Sequence, residues 1–248
     1  MCEKCDSPHH HQQRFHHLSR RKVMAGGAAL LAASSLPLGF ARADQPVLAE
    51  PPNAIPPSQA LDQLMQGNAR YAAGETECKD YSVGRSERAG AQYPIVAVLS
   101  CSDSRVAPEL LFEQGPGEVF VVRVAGNFVN PDGLASMEYA VKVLGVPLLM
   151  VLGHSNCGAV AAAVKVVTEH AELPGHLPEL VASIEPAVIA AHAKHPSDLV
   201  AATIEENVRL NVKRLIDDTP ILSDALAAKK IAISGGVYDI ATGKVGLI

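Results

Sequence analysis

Four short apolar runs constrain this chain more than any other feature of it. They span residues 95–100, 118–124 (EVFVVRV), 147–152 (PLLMVL) and 230–234, and segments with helical spacing separate them. None alternates strictly between apolar and polar residues, as a half-exposed strand would. Strands that are apolar on both faces belong in a parallel sheet, because the crossover connections of parallel strands cover both of its sides. The pattern therefore predicts an α/β fold. It is a single domain with a mostly parallel central sheet flanked by helices.

The helical segments carry start and stop signals. Leu61, Leu64, Met65, Asn68 and Tyr71 recur at helical spacing, with Ser58 as a cap and Gly74 as a stop. This helix stands outside the strand alternation, so we expect an N-terminal helical arm that packs on a partner subunit. Residues 75–92 read as loop with a short helix. Further helices are expected over 108–112, 132–144 (stopped by Gly145), 157–170, 179–194, 198–217 and 224–228. Gly235-Gly236 should open a hairpin-like tail.

The first 43 residues are a different kind of sequence. Ser19-Arg20-Arg21-Lys22-Val23-Met24 is a twin-arginine pattern, and an Ala-, Gly- and Leu-rich run follows it to Phe40. Ala41-Arg42-Ala43 then offers a small-x-small cleavage site. A basic start, a mildly apolar middle and an A-x-A end describe an export signal. The run is Gly-rich and broken by Pro37, which disfavours a permanent membrane anchor. We therefore expect residues 1–43 to direct Tat export to the periplasm and to be removed, leaving no stable anchor. Residues 44–57 hold five prolines and read as a linker, and 58–248 as the domain. Cys2-x-x-Cys5 and His9-His10-His11 lie before the signal and would leave with it. The mature chain would keep Cys78, Cys101 and Cys157, an odd number for a disulfide framework. Cys78 sits in a polar loop, with pairing between chains as its one conceivable role. The net charge of −5 gives no reason to expect a nucleic-acid partner, which would favour a basic patch.

In open α/β sheets, ligands bind beyond the carboxyl ends of the strands. Two such ends carry unusual residues: Cys101-Ser102-Asp103-Ser104-Arg105 and Gly153-His154-Ser155-Asn156-Cys157-Gly158. If the two strands are neighbours, Cys101, His154 and Cys157 converge. Two thiolates and an imidazole form a zinc set, with a fourth position left open. Asp103 lies two residues after Cys101 and reaches the same place. Arg105 can hold it there by a bidentate bond. If Asp103 takes the fourth position, the ion is saturated. If Arg105 holds Asp103 aside, the position is open to water.

CSDSR, then FVVR, then HSNCG together resemble a beta-class carbonic anhydrase, and the similarity runs from about Ser58 to the C-terminus. The resemblance implies zinc, one per chain, on Cys101, His154 and Cys157. It gives Asp103 as either the catalytic partner of Arg105 or the fourth ligand of a closed state. It implies Gln92 as a bicarbonate contact, Phe120 and Tyr139 as walls of the carbon dioxide pocket, often supplied across a dimer interface, and Gly158 as the glycine after the last ligand. A homodimer, or a multiple of one, is the expected assembly. Arg123-Val124-Ala125-Gly126-Asn127 departs from the family's usual Arg-Asn-x-Ala-Asn.

The expected activity is zinc-dependent, reversible hydration of carbon dioxide to bicarbonate and a proton. Aqueous zinc gives its water a pKa of about 9 and a three-histidine site about 7. Two thiolates donate more charge, so activity should rise toward alkaline pH. The alternatives are a carbonyl sulfide or carbon disulfide hydrolase on the same scaffold, and a non-catalytic periplasmic zinc-binding protein.

Overall fold

The apolar runs are the parallel strands of one sheet. They become β1 (Val96–Ser100), β2 (Val119–Arg123), β3 (Leu148–His154) and β4 (Ala232–Tyr238), and a short β5 (Val245–Leu247) pairs antiparallel with β4. The order is β2-β1-β3-β4-β5, so β1 and β3 are neighbours. The register sets Ser100 opposite Leu152 on one side and opposite Arg123 on the other. The computed structural model describes residues 50–248, which form one compact unit. The export signal and the Cys2, Cys5 and His9–His11 cluster lie outside the described residues. So do residues 44–49 of the linker.

Side chains alternate across a strand, and here each face has its own helices. Val96, Val98, Leu148, Met150 and Leu152 pack against α1 (Pro57–Ala73) and α3 (Pro108–Leu111). Ala97, Leu99, Leu149 and Val151 pack against α4 (Pro131–Lys142), α8 (Leu199–Asp217) and α9 (Pro220–Ala227). A third apolar cluster caps the carboxyl end of the sheet. It joins Cys101 and Phe128 to α5 (Gly158–Glu169), α6 (Leu177–Ala182), α7 (Glu185–His192) and α8. A four-residue α2 (Arg85–Arg88) lies in the polar stretch after α1. Among the described residues, no helix is long and apolar enough to cross a membrane.

Four expectations need correction. Ser58 does not cap α1: the helix starts at Pro57, whose fixed φ suits a first turn, and no side-chain cap bond forms. The arm is not held free for a partner. Ala60 and Leu64 are fully buried against the chain's own sheet. Asn68 donates to the Leu111 and Gly243 carbonyls and accepts from the Val245 N–H, which ties α1 to the C-terminal hairpin. The segment expected as one helix over 179–194 breaks at Ser183 and Ile184 into α6 and α7. Gly235 and Gly236 lie inside β4, and the chain turns later, at 239–244. A Cβ on Gly235 would meet Val208 at 2.8 Å, so the glycine serves the close approach of α8 rather than a turn.

Candidate metal centre and active site

β1 and β3 end side by side, and both deliver their special residues to one crevice. Cys101 follows the last residue of β1, and His154 is the last residue of β3. Asn156 takes a left-handed conformation (φ 55°) that turns the chain so Cys157 faces the same point. Cys157 is the N-cap residue of α5, where helix amides favour negative charge. The ligand atoms of Cys101, His154 and Cys157 all lie within 4.8 Å of one another, and all three residues are buried. The two sulfurs are 4.0 Å apart. Two thiolates on a tetrahedral zinc, at Zn–S of about 2.3 Å, would sit about 3.8 Å apart.

Two further observations test whether this cradle fits a metal. His154 Nδ1 lies 2.9 Å from the Ser155 carbonyl, so Nδ1 carries the proton and Nε2 presents a lone pair. That Nε2 is buried and has no hydrogen-bond partner among the described residues. The thiols make the second case. The hydrogen bond from Cys157 lowers Cys101 against the cost of burial, with His154 and the Gly126 N–H assisting. The same bond, together with burial, pushes Cys157 up. One sulfur ionises at the expense of the other, so two thiolates coexist when a cation lies between them. The donor set, the separation and the orphaned nitrogen all fit zinc.

Asp103 stands beside the cradle, held by Arg105. Oδ1 accepts from Arg105 Nε at 2.9 Å and from the Arg105 backbone N–H at 3.0 Å, and Oδ2 accepts from Nη2 at 2.7 Å. The hydrogen bonds from Arg105 keep this carboxyl well below the usual carboxylate range. Asp103 Oδ2 remains 3.9 Å from His154 Nε2, close enough to serve a group held between them. This is the arrangement in which Arg105 holds Asp103 aside.

Arg123 is a residue the sequence reading missed as part of the site. It ends β2, and its guanidinium donates to the Cys101 carbonyl at 3.0 Å and the Asp103 carbonyl at 2.7 Å. It thereby fixes the backbone that carries both. An arginine closing an apolar strand was the available signal, but the strand register was needed to read it. Gly126 is the second omission: its N–H donates to Cys101 Sγ at 3.3 Å.

Within one chain, Gln92 and Phe120 lie toward the amino end of the strands, away from the cradle. Gln92 is exposed and precedes β1, at the end of the sheet opposite Cys101. Phe120 sits on the edge strand β2, in register with Ala97, and its ring is 6.3 Å from that of Tyr139 on α4. Gly158 is the exposed first residue of α5, directly after Cys157.

The carbonic anhydrase family model matches residues 96–245. Carbonic anhydrase 2 of Mycobacterium tuberculosis is 36% identical over 192 residues, covering 77% of this chain and 92% of the relative. The chain belongs to the beta-carbonic anhydrase family. The carbonic anhydrase of Mycolicibacterium smegmatis is 38% identical over 197 residues, 79% of this chain and 95% of its own. A solved beta-carbonic anhydrase of Coccomyxa, in complex with acetazolamide, superposes with a TM-score of 0.60 at 30% identity, covering 77% of this chain and 85% of that one. The chain is thus an enzyme, a carbonic anhydrase that hydrates carbon dioxide reversibly. The sulfur-substrate and non-catalytic alternatives are not favoured: the relatives are named for carbonic anhydrase, and Asp103 and Arg105 are both in place.

Proposed function

We propose that this carbonic anhydrase works with one zinc per chain on Cys101, His154 and Cys157, as a self-associating enzyme exported by the Tat route to the periplasm. The observation that carries the chemistry is the buried Cys-His-Cys cradle with the Asp103–Arg105 pair beside it. When bound, zinc supplies the Lewis acidity that ionises water. The protein's share is positional. Asp103, charged throughout the neutral range, accepts a hydrogen bond from the reacting water and orients it. Arg105 keeps Asp103 aside, and Arg123 fixes the Cys101–Asp103 backbone.

Self-association rests on the edge strand. Among the described residues the outer side of β2 carries no partner strand, and Val119, Phe120, Val121 and Val122 are all half-buried there. Tyr139 and Val143 on the same flank are exposed. An apolar edge of this kind is a template for a second chain. A second copy docked there would be the source of the Gln92, Phe120 and Tyr139 that a single cradle lacks. Arg20-Arg21 and Ala41-Arg42-Ala43 support export.

The test is stopped-flow hydration of carbon dioxide on the chain over residues 44–248, with zinc determined on the same sample. Fast hydration at one zinc per chain, lost in Cys157→Ala, is expected. One zinc with no hydration from pH 6 to 9 would overturn the proposal. Fractionation of cells carrying Arg20→Lys with Arg21→Lys checks export, since the double variant should stay inside.

A further inference from the structure

The N–H that reaches the zinc-binding sulfur comes from an awkward piece of chain. Gly126 and Asn127 are consecutive left-handed residues, with φ of 87° and 43°. Gly and Asn adopt that region more readily than other residues, so the sequence permits this shape without by itself fixing it. A Cβ at Gly126 would meet Ile184 Cδ1 at 2.5 Å and Ala159 Cβ at 3.3 Å, so the loop is also pressed against its neighbours.

Two asparagines on one face of α8 pin this loop at both ends. Asn207 Nδ2 donates to the Gly126 carbonyl at 2.8 Å. Asn211 Oδ1 accepts from the Val129 N–H at 2.7 Å. The two are also joined to each other: Asn211 Nδ2 donates to the Asn207 backbone carbonyl at 2.7 Å and to its Oδ1 at 3.0 Å. Their exposures are 1% and 2%, so water does not compete for these bonds. The spacing of four residues sets both side chains on the same stripe of the helix. A buried amide in the middle of a helix is costly unless each of its groups finds a partner, and here the partner is the loop that feeds Cys101.

We propose that Asn207 and Asn211 are positioning residues of the metal centre: they clamp residues 126–129 so that the Gly126 N–H is aimed at Cys101 Sγ. The proposal rests on Cys101 being a zinc ligand. Its consequence is electronic. A thiolate that accepts an N–H bond gives less charge to its metal, and a site with two thiolates needs that restraint to keep the metal acidic. The two buried amides therefore act on the reaction through a single hydrogen bond, without touching substrate or metal.

Cobalt(II) in place of zinc is the probe, because d10 zinc has no d–d spectrum and no visible charge-transfer band. In Asn207→Leu, which keeps the branched outline and removes the donor, the thiolate-to-cobalt band should move to longer wavelength. Zinc affinity, by chelator competition, should fall about tenfold or more. Asn207→Ser, too short to reach the Gly126 carbonyl, gives the same reading where the leucine variant does not fold. Asn68→Ala is the control. Asn68 is also buried, and it loses three hydrogen bonds on the opposite face of the sheet. A cobalt spectrum and zinc affinity equal to the parent's in the Asn207 variants would overturn the proposal. An equal band shift in Asn68→Ala would overturn it too, since general loosening would then suffice. A parent protein that takes up neither metal would instead refute the cradle itself.

Discussion

Asp103→Asn separates the work of the dyad from the work of the cradle. The amide keeps the oxygen that accepts from Arg105 Nε and from the Arg105 backbone, so the loop should hold its shape. The second oxygen becomes an NH2 group facing Arg105 Nη2 at what was a 2.7 Å hydrogen bond, so two donors oppose each other. The acceptor that stands 3.9 Å from His154 Nε2 is lost at the same time. A group that takes or orients a proton in the transition state contributes about 10²–10⁴-fold. The Asp103 side chain is 17% exposed, so water replaces part of its role and the lower end applies, about 100-fold in kcat. KM should change little, because the carboxylate acts in the transition state rather than in binding. Stopped-flow hydration with zinc measured on the same sample reads both quantities. Asp103 titrates below its ordinary value, so its charge is complete throughout pH 6 to 9 and the alkaline rise cannot come from it. The variant should therefore be slow with an unchanged pH midpoint. A kcat within threefold of the parent at one zinc per chain would refute this reasoning. Loss of zinc would also refute it, since Asp103 would then be holding the metal.

Gly126→Ala should destabilise the fold by about 2–5 kcal/mol, from about 1–2 for a left-handed alanine and about 1–3 for crowding Ile184. Urea denaturation of the metal-free protein measures it. Glu206 accepts from Lys194 Nζ at 2.7 Å and Arg209 Nη1 at 2.6 Å, and Lys194 first, then Arg209, lowers its pKa. A lowered acid stabilises the fold above its ordinary pKa of 4.5 and loses that effect as pH falls through the folded value. Glu206→Gln should therefore cost about 1 kcal/mol at pH 7, and melting curves of parent and variant should converge below about pH 4.5. Val121→Lys on the β2 edge should shift the protein toward the single chain in sedimentation, with hydration falling at least tenfold. An unchanged assembly would count against β2 as the interface.

The sheet was legible because its strands are apolar on both faces, a pattern that few other arrangements accommodate. The cradle was legible because all three ligands stand at strand ends, in chain positions that any parallel pairing of β1 with β3 brings together. The arm helix misled because an amphipathic face names no partner. Only the packing of Ala60 and Leu64 shows that its own sheet covers it. Gly235 and Gly236 misled for a related reason: two glycines fit a turn and a close helix contact equally well. Arg123, Asn207 and Asn211 bond backbone atoms of distant residues, and Gly126 gives its own N–H to the distant Cys101 Sγ. Such bonds depend on register and helix phase, which no single stretch of sequence carries.

Cys101 and Cys157 are 56 residues apart, and β2 and α4 lie between them. The cradle therefore closes a long loop, and an unfolded chain has to lose that loop's conformational entropy before one ion can touch both sulfurs. Until β1 and β3 pair, a newly made chain offers only the local pair His154 and Cys157, with Cys101 far along the chain. Metal capture is then a late event of folding, and it selects the finished sheet over every partly ordered form. On the export route proposed above, the order would matter. Loaded before export, both thiols travel as ligands, already buried and out of reach of oxidants.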